Sequence, residues 1–332
     1  MRTSALLAAL LSTTASACVE NINDEVPTLG AVVDDCVVPG IDQAPRSLAF
    51  PEGSLWIWEG AYALVTDTAA ACAGDFTVVD EPLVQLLPEE QASNAARADG
   101  RSIAVSPLGG FVHEGRGYLY YDKQLLGPGL FDLERLGTGV CELDGPTGPC
   151  TRTTPNAYAE QPSLLWLGSR APWGRGAFVD TDGFSYLYGC TKPAAFEETC
   201  TVARVRPTDT ADPTAYRVYN SFNGWIEGAD NPTTFAKGTS QLWPSYNPQL
   251  GQYAFVTPNI FESTFEVRLS DAPAGDITRT VTLFDAVAPE SWFIGGGSEH
   301  PALGSGDGRT IAVSYSTDGA VHLVQFRYDA GR

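Results

Sequence analysis

Methionine is nearly absent from this chain: Met1 is the only one in 332 residues. Histidine is scarce too, at His113, His300 and His322, and cations are half as numerous as carboxylates, 20 Lys and Arg against 40 Asp and Glu. Each shortage excludes something. A formal charge of −20 repels phosphate backbones and anionic membrane surfaces, so nucleic acid is disfavoured as a partner. With no C-x-x-C pair and three histidines, the chain offers little to a zinc ion. Also missing are the G-x-S-x-G elbow of serine hydrolases, the H-E-x-x-H of zinc proteases and the G-x-x-x-x-G-K-[ST] phosphate loop; His113 and Glu114 lack the second histidine. Beyond the N-terminus no apolar run is long enough to cross a membrane as a helix.

What is present begins with "MRTSALLAALLSTTASAC", an arginine, a short apolar stretch and small residues. That pattern predicts an export signal over residues 1–17. Cys18 after Ala15, Ser16 and Ala17 fits a lipoprotein box, in which the cysteine is lipidated and becomes the new N-terminus; ordinary cleavage after Ala17 is the alternative. A lipoprotein of the outer membrane or cell surface is expected, otherwise a periplasmic or secreted protein. Setting Cys18 aside leaves six of the seven cysteines, an even set suited to an oxidising compartment. Six allow about fifteen connectivities. Short separations favour Cys141–Cys150 and Cys190–Cys200 as clamps on single hairpins, which leaves Cys36–Cys72.

The 34 glycines, 23 prolines and plentiful aromatics describe a turn-rich β protein. A glycine turn followed by an alternating apolar strand recurs as "PEGSLWIWEG", "EGRGYLYYDK", "DTDGFSYLYG", "PQLGQYAFVT" and "GDGRTIAVSY". The glycines are Gly53, Gly117, Gly183, Gly251 and Gly308, spaced by 64, 66, 68 and 57 residues. Each interval holds four short strands, so the expectation is an all-β fold, a five-bladed β-propeller, over residues 38–332. Residues 18–37 then form a tether and an N-terminal strand that completes the last blade. A large β-sandwich is the competing architecture. "DTDGFSYLYGC" has aspartates spaced as in a calcium loop, but its twelfth position is Thr191 rather than an acid, so Asp180 and Asp182 are expected to shape a hairpin.

In such a propeller the strand before each repeat glycine is innermost and the next returns antiparallel. Starts of first strands and ends of second strands therefore share one rim. The rim residues are Asp42, Glu59, Asp122, Arg175, Gln241, Glu299 and His300, with Trp58, Trp173, Trp225, Trp243 and Trp292 as candidates for stacking on sugar faces. Asp42 and Glu299, both opening inner strands, form the candidate catalytic pair for glycosidic hydrolysis, one protonating the leaving oxygen and the other activating water or attacking the sugar. Glu59, Asp122, Arg175, Gln241, His300 and Trp243 are expected to bind substrate. His113, beside its turn, reads as structural.

The segments "GIDQAPRSLAFPEGSLWIWEG", "GGFVHEGRGYLYYD", "FVDTDGFSYLYGC" with "CTVARV", "SQLWPSYNPQLGQYAFV" and "SEHPAL" with "GRTIAVSYS" resemble, in that order, secreted bacterial propellers of unknown function. Some of that family act as endo-D-arabinanases, and it is similar to the five-bladed furanosidase and arabinanase propellers. The resemblance spans about residues 38–328. It implies Asp42 as base, Glu299 as acid or ligand-orienting group, and an axial calcium ion near His300. Glu59 precedes Gly60, where the family places its acid after a glycine. Two functions follow as expectations: a monomeric cell-surface hydrolase of arabinan-like polysaccharide, reaching the membrane only through its lipid, or a non-catalytic propeller that binds glycan or protein.

Overall fold

The computed structural model describes residues 29–58, 60–129, 132–168, 173–194, 197–228, 232–239, 241–259, 262–286, 294 and 296–329, with the backbone alone at 192–194 and 197. Cys18, Glu59 and Trp292 lie outside the described residues, as does the expected signal segment.

Turns rich in glycine separate short apolar runs, and successive runs pair antiparallel. The first strand is β1 (Gly30–Val38). Blade one follows as β2 (Arg46–Phe50), β3 (Gly53–Trp58), β4 (Ala61–Val65) and β5 (Val78–Val79), with helix α1 (Thr68–Ala73) between the last two. Helix α2 (Pro88–Ala96) leads into blade two: β6 (Ser102–His113), β7 (Arg116–Leu126), β8 (Leu133–Leu143), β9 (Thr151–Arg152) and β10 (Trp166–Leu167). Blade three holds β11 (Gly176–Val179), β12 (Ser185–Ala194), β13 (Glu197–Val205), β14 (Arg217–Asn220), β15 (Gly224–Glu227) and β16 (Ala236–Lys237). Blade four is β17 (Trp243–Asn247), β18 (Gln252–Asn259), β19 (Thr264–Ser270) and β20 (Ile277–Asp285). Blade five is β21 (Gly297–Glu299), β22 (Thr310–Thr317) and β23 (Ala320–Tyr328), and its outermost strand is β1, paired antiparallel with β23.

The strands β2, β6, β11, β17 and β21 open their sheets and stand side by side around the axis. This is a five-bladed β-propeller, and the sandwich is overturned because five separate sheets meet edge-on at one axis. Among the described residues the buried apolar side chains gather into five clusters, one at each junction between neighbouring blades. Trp56 packs between blades five and one, while Trp166 and Trp173 fill the junction of blades two and three. These indoles are core, where a large flat side chain removes the most apolar area from water.

All three expected disulfides are present: Cys36–Cys72, Cys141–Cys150 and Cys190–Cys200. Asp67 caps α1 by accepting the Ala70 amide at 2.8 Å, and Gly74 ends it in the left-handed conformation. That short helix holds Cys72 against β1, so the first disulfide ties the closing strand of blade five to blade one. The "DTDG" segment is a hairpin turn between β11 and β12. Asp180 accepts the Tyr253 hydroxyl at 2.8 Å, Asp182 accepts that of Tyr186 at 2.7 Å, and Asp182 also takes the Phe184 amide. Both carboxylates serve the turn and its junction with blade four.

Candidate ligand funnel and axial channel

Two cavities lie along the axis. A funnel of about 680 Å³ opens on the face where inner strands begin and second strands end. Its wall includes Arg46 at the start of β2, Trp58 at the end of β3, Gln124 near the end of β7, and Gln241 and Trp243 at the start of β17. The Gln241 side chain also accepts the Gly297 amide at 3.4 Å, joining blades four and five across the rim. No carboxylate lines the funnel among the described residues. In sequence Glu59 sits between Trp58 and Gly60, both of which line it, and Asp42 precedes the lining residue Gln43.

Below the funnel, an axial channel of about 330 Å³ is walled by all five inner strands, among them Ser47, Phe111, Phe178, Ser245 and Tyr246. Trp243 borders both cavities. Its indole Nε1 is buried and has no hydrogen-bond partner. Glu299 lies in the channel wall, 5% exposed. The Ser245 hydroxyl stands 3.0 and 3.1 Å from its two carboxyl oxygens. Burial pushes the carboxyl up to about 8, against the weaker opposing pull of Ser245, so the group is a neutral acid at pH 7.

The remaining rim residues have varied placements. Asp42 is exposed in the loop before β2 and lines neither cavity. Asp122 is buried in β7 and paired with Arg135, whose Nε donates to it at 2.7 Å. Arg175 is exposed beside β11, within electrostatic reach of Asp122, Arg135 and Glu198. His300 is fully buried: its Nε2 lies 2.7 Å from the Ser314 hydroxyl and its ring centre 4.8 Å from that of Trp56. Desolvation pushes its imidazole down to about 3, which keeps it neutral, and Nδ1 has no partner. Trp173 is core, whereas Trp225 stacks against the Arg204 guanidinium in blade three. The structure thus brings Gln241 and Trp243 to the funnel and Glu299 to the channel, and does not bring Asp42 to Glu299 in either cavity.

The implied calcium ion finds a poor donor set. Calcium takes six to eight oxygens, and the channel wall offers one neutral carboxyl and two serine hydroxyls. Among the described residues no three His, Cys, Asp or Glu side chains gather as metal ligands.

Sequence reasoning missed Ser245 as the partner of Glu299, because 54 residues separate them and only the ring brings blades four and five together. It also missed Glu90 on α2. That carboxylate is buried and receives hydrogen bonds from Arg152 at 2.6 and 2.9 Å and an ion pair from Lys123. Burial alone would raise Glu90, but those cationic partners hold it below the usual carboxylate value. "PEEQ" after Leu87 was the available signal, a proline-started helix with an acid at its third position.

The fold defines a class, the five-bladed β-propellers. Within it, residues 96–329 match the family described as Domain of unknown function (DUF5005), and the chain belongs to that family. Among solved structures the chain is similar to RS223-beta-xylosidase, at 15% identity and a TM-score of 0.52, covering 89% of this chain and 96% of that one. It is also similar to the xylan beta-1,4-xylosidase of Bacillus halodurans, at 13% identity and a TM-score of 0.50, covering 87% of this chain and 53% of that one. At such identities the likeness establishes the fold. No curated protein matches the sequence. Three disulfides accord with an oxidising compartment, and no helix among the described residues is long and apolar enough to cross a membrane.

Proposed function

We propose that this chain is an exported, saccharide-binding propeller whose funnel takes a neutral, furanose-containing polysaccharide of the arabinan type. The observation that carries the reading is the funnel wall. Two tryptophans, three glutamine amides and one guanidinium line it, with no carboxylate among the described residues. Indole faces stack on the apolar faces of sugar rings, and amides supply both a donor and an acceptor to adjacent hydroxyls. A signal over residues 1–17 and a lipid on Cys18 would hold the protein as a monomer on the outer membrane or cell surface, with the propeller facing its glycan.

Hydrolysis is the second reading, and one observation favours it: Glu299 holds its proton at neutral pH, the form a general acid needs. In that reading Asp42 is the base, Glu59 and Arg175 orient the sugar, and Asp122 and His300 support the rim. Against it stands Asp42, exposed and outside both cavities.

Affinity electrophoresis on arabinans and other pentose-rich glycans, run beside a product-release assay, separates the two. The expected result is retention on one glycan, weakened at least tenfold by Trp58→Ala and by Gln241→Ala, with no release of sugar. Retention on none of the glycans would overturn the binding reading. Release that disappears in both Asp42→Asn and Glu299→Gln would establish the hydrolase instead.

A further inference from the structure

The axial channel is chemically unlike the funnel above it. Its walls are inner-strand backbone with the Trp243 and Tyr246 side chains of blade four, and it is bordered by Phe111 and Phe178, whose rings stack on Tyr118 and on Tyr186 and Tyr188 in the blade junctions. Tyr246 is 49% exposed, so the channel has an accessible edge on the glycine-turn face, opposite the funnel. Lysine and arginine are absent from the described lining, and no described cation pairs with Glu299. A buried carboxyl is ordinarily paired or replaced by an apolar group, since an uncompensated charge there is costly. Here a single acid has the Ser245 hydroxyl as its hydrogen-bond partner, in a channel bordered by Trp243 and Tyr246.

Aromatic faces and one carboxylate are the two elements that recognise an organic ammonium group: the ring quadrupoles attract the diffuse positive charge and the carboxylate neutralises it. The geometry points to the axial channel as a binding site for a small organic cation bearing an alkylated ammonium group, entering from the glycine-turn face and pairing with Glu299. The net charge of −20 would concentrate such cations at the surface. The site adjoins the funnel at Trp243, which borders both cavities, so the test leaves Trp243 unaltered.

Among the described residues the titratable groups around Glu299 are few. They are the Tyr246 phenol on β17, the neutral His300 imidazole next in the chain, and the Tyr328 phenol on β23, which burial and then the Glu299 charge raise further above its ordinary value. None supplies a positive charge near neutrality. Binding a cation therefore requires Glu299 to release its proton, which couples affinity to pH.

The test is calorimetric titration of the purified protein with choline and with its uncharged analogue 3,3-dimethylbutan-1-ol, at pH 6.5 and pH 9. Choline is expected to bind, and about 30-fold more tightly at pH 9, following the ionised fraction of a carboxyl near 8. The alcohol should bind weakly, without that pH dependence. Glu299→Gln, which preserves shape, should reduce choline to the level of the alcohol, and Tyr246→Ala, a partly exposed site, should weaken choline binding without lowering the melting temperature. Equal or tighter binding of the alcohol, choline binding unaltered in Glu299→Gln, or a response to calcium chloride alone would each overturn the assignment. Failure here leaves glycan retention by the funnel untouched, and Trp58→Ala should not change choline binding.

Discussion

Glu299 and His300 are adjacent, buried and both neutral, and they tilt stability in opposite directions with pH. The Glu299 carboxyl is raised from 4.5 to about 8, so its contribution is complete below pH 4.5 and is lost as pH climbs to 8. For His300, lowered from 6.5 to about 3, the contribution is complete above pH 6.5 and is lost as pH falls to 3. Between 4.5 and 6.5 the unfolded chain has lost one proton and gained one relative to the folded state, so the two slopes cancel. Below that window the depressed carboxyl of Glu90 adds to the loss. Denaturation across pH should therefore trace a plateau from about 4.5 to 6.5 with falling stability on both sides. The net fall between pH 6.5 and 8 assigned to Glu299 is on the order of 2 kcal/mol at most. In Glu299→Gln the fall between pH 6.5 and 8 should disappear; an unchanged alkaline limb would show that another group governs it.

At the scale of elements, the inner strands approach one another closely because glycines stand where their neighbours' carbonyls pass. A Cβ added at Gly176, on β11, would collide with the Leu242 carbonyl oxygen just before β17. The obstacle is backbone, which cannot rotate away as a side chain can. Gly176→Ala is accordingly expected to cost about 1–3 kcal/mol in urea denaturation, whereas alanine at Gly183, which meets nothing nearby, should feel only its positive φ of 81°. Similar losses at both positions would remove the close-approach argument. The sequence showed Gly183 as a turn residue because it follows Thr181 and Asp182 before an alternating strand. It did not distinguish Gly176, whose role depends on a strand from the next blade.

For the whole molecule, the ring closes where β1 from the N-terminal side pairs with β23 from the C-terminal side, so one sheet is built from both ends of the chain. The Cys36–Cys72 disulfide then joins that strand to blade one. Replacing both cysteines by serine should cost about 2–4 kcal/mol and should speed amide exchange in β1 ahead of the other blades. Uniform exchange across all five blades would mean that the disulfide is not the latch. The five turn glycines made the propeller legible, and the spacing of cysteines within blades two and three made their hairpins legible. The walls of the cavities were less so. Trp243 and Gln241 were found because they open an inner strand, but alternation alone could not tell that Glu299 faces Ser245 in the channel or that His300 turns into the core.

The amino-acid sequence by itself determined the period, the number of blades, the turns and the pairing of cysteines, because strand alternation and turn chemistry are local and repeat with the chain. Only the tertiary structure decided which polar groups share a cavity. A propeller blade contributes one or two side chains to the axis, and their company comes from other blades tens to hundreds of residues away, as with Ser245 and Glu299 across 54 positions or the Ser47 hydroxyl and the Glu299 carbonyl across 252. Burial, and with it the neutral state of Glu299 and His300, is likewise a property of the closed ring, since desolvation depends on every blade that excludes water from the axis.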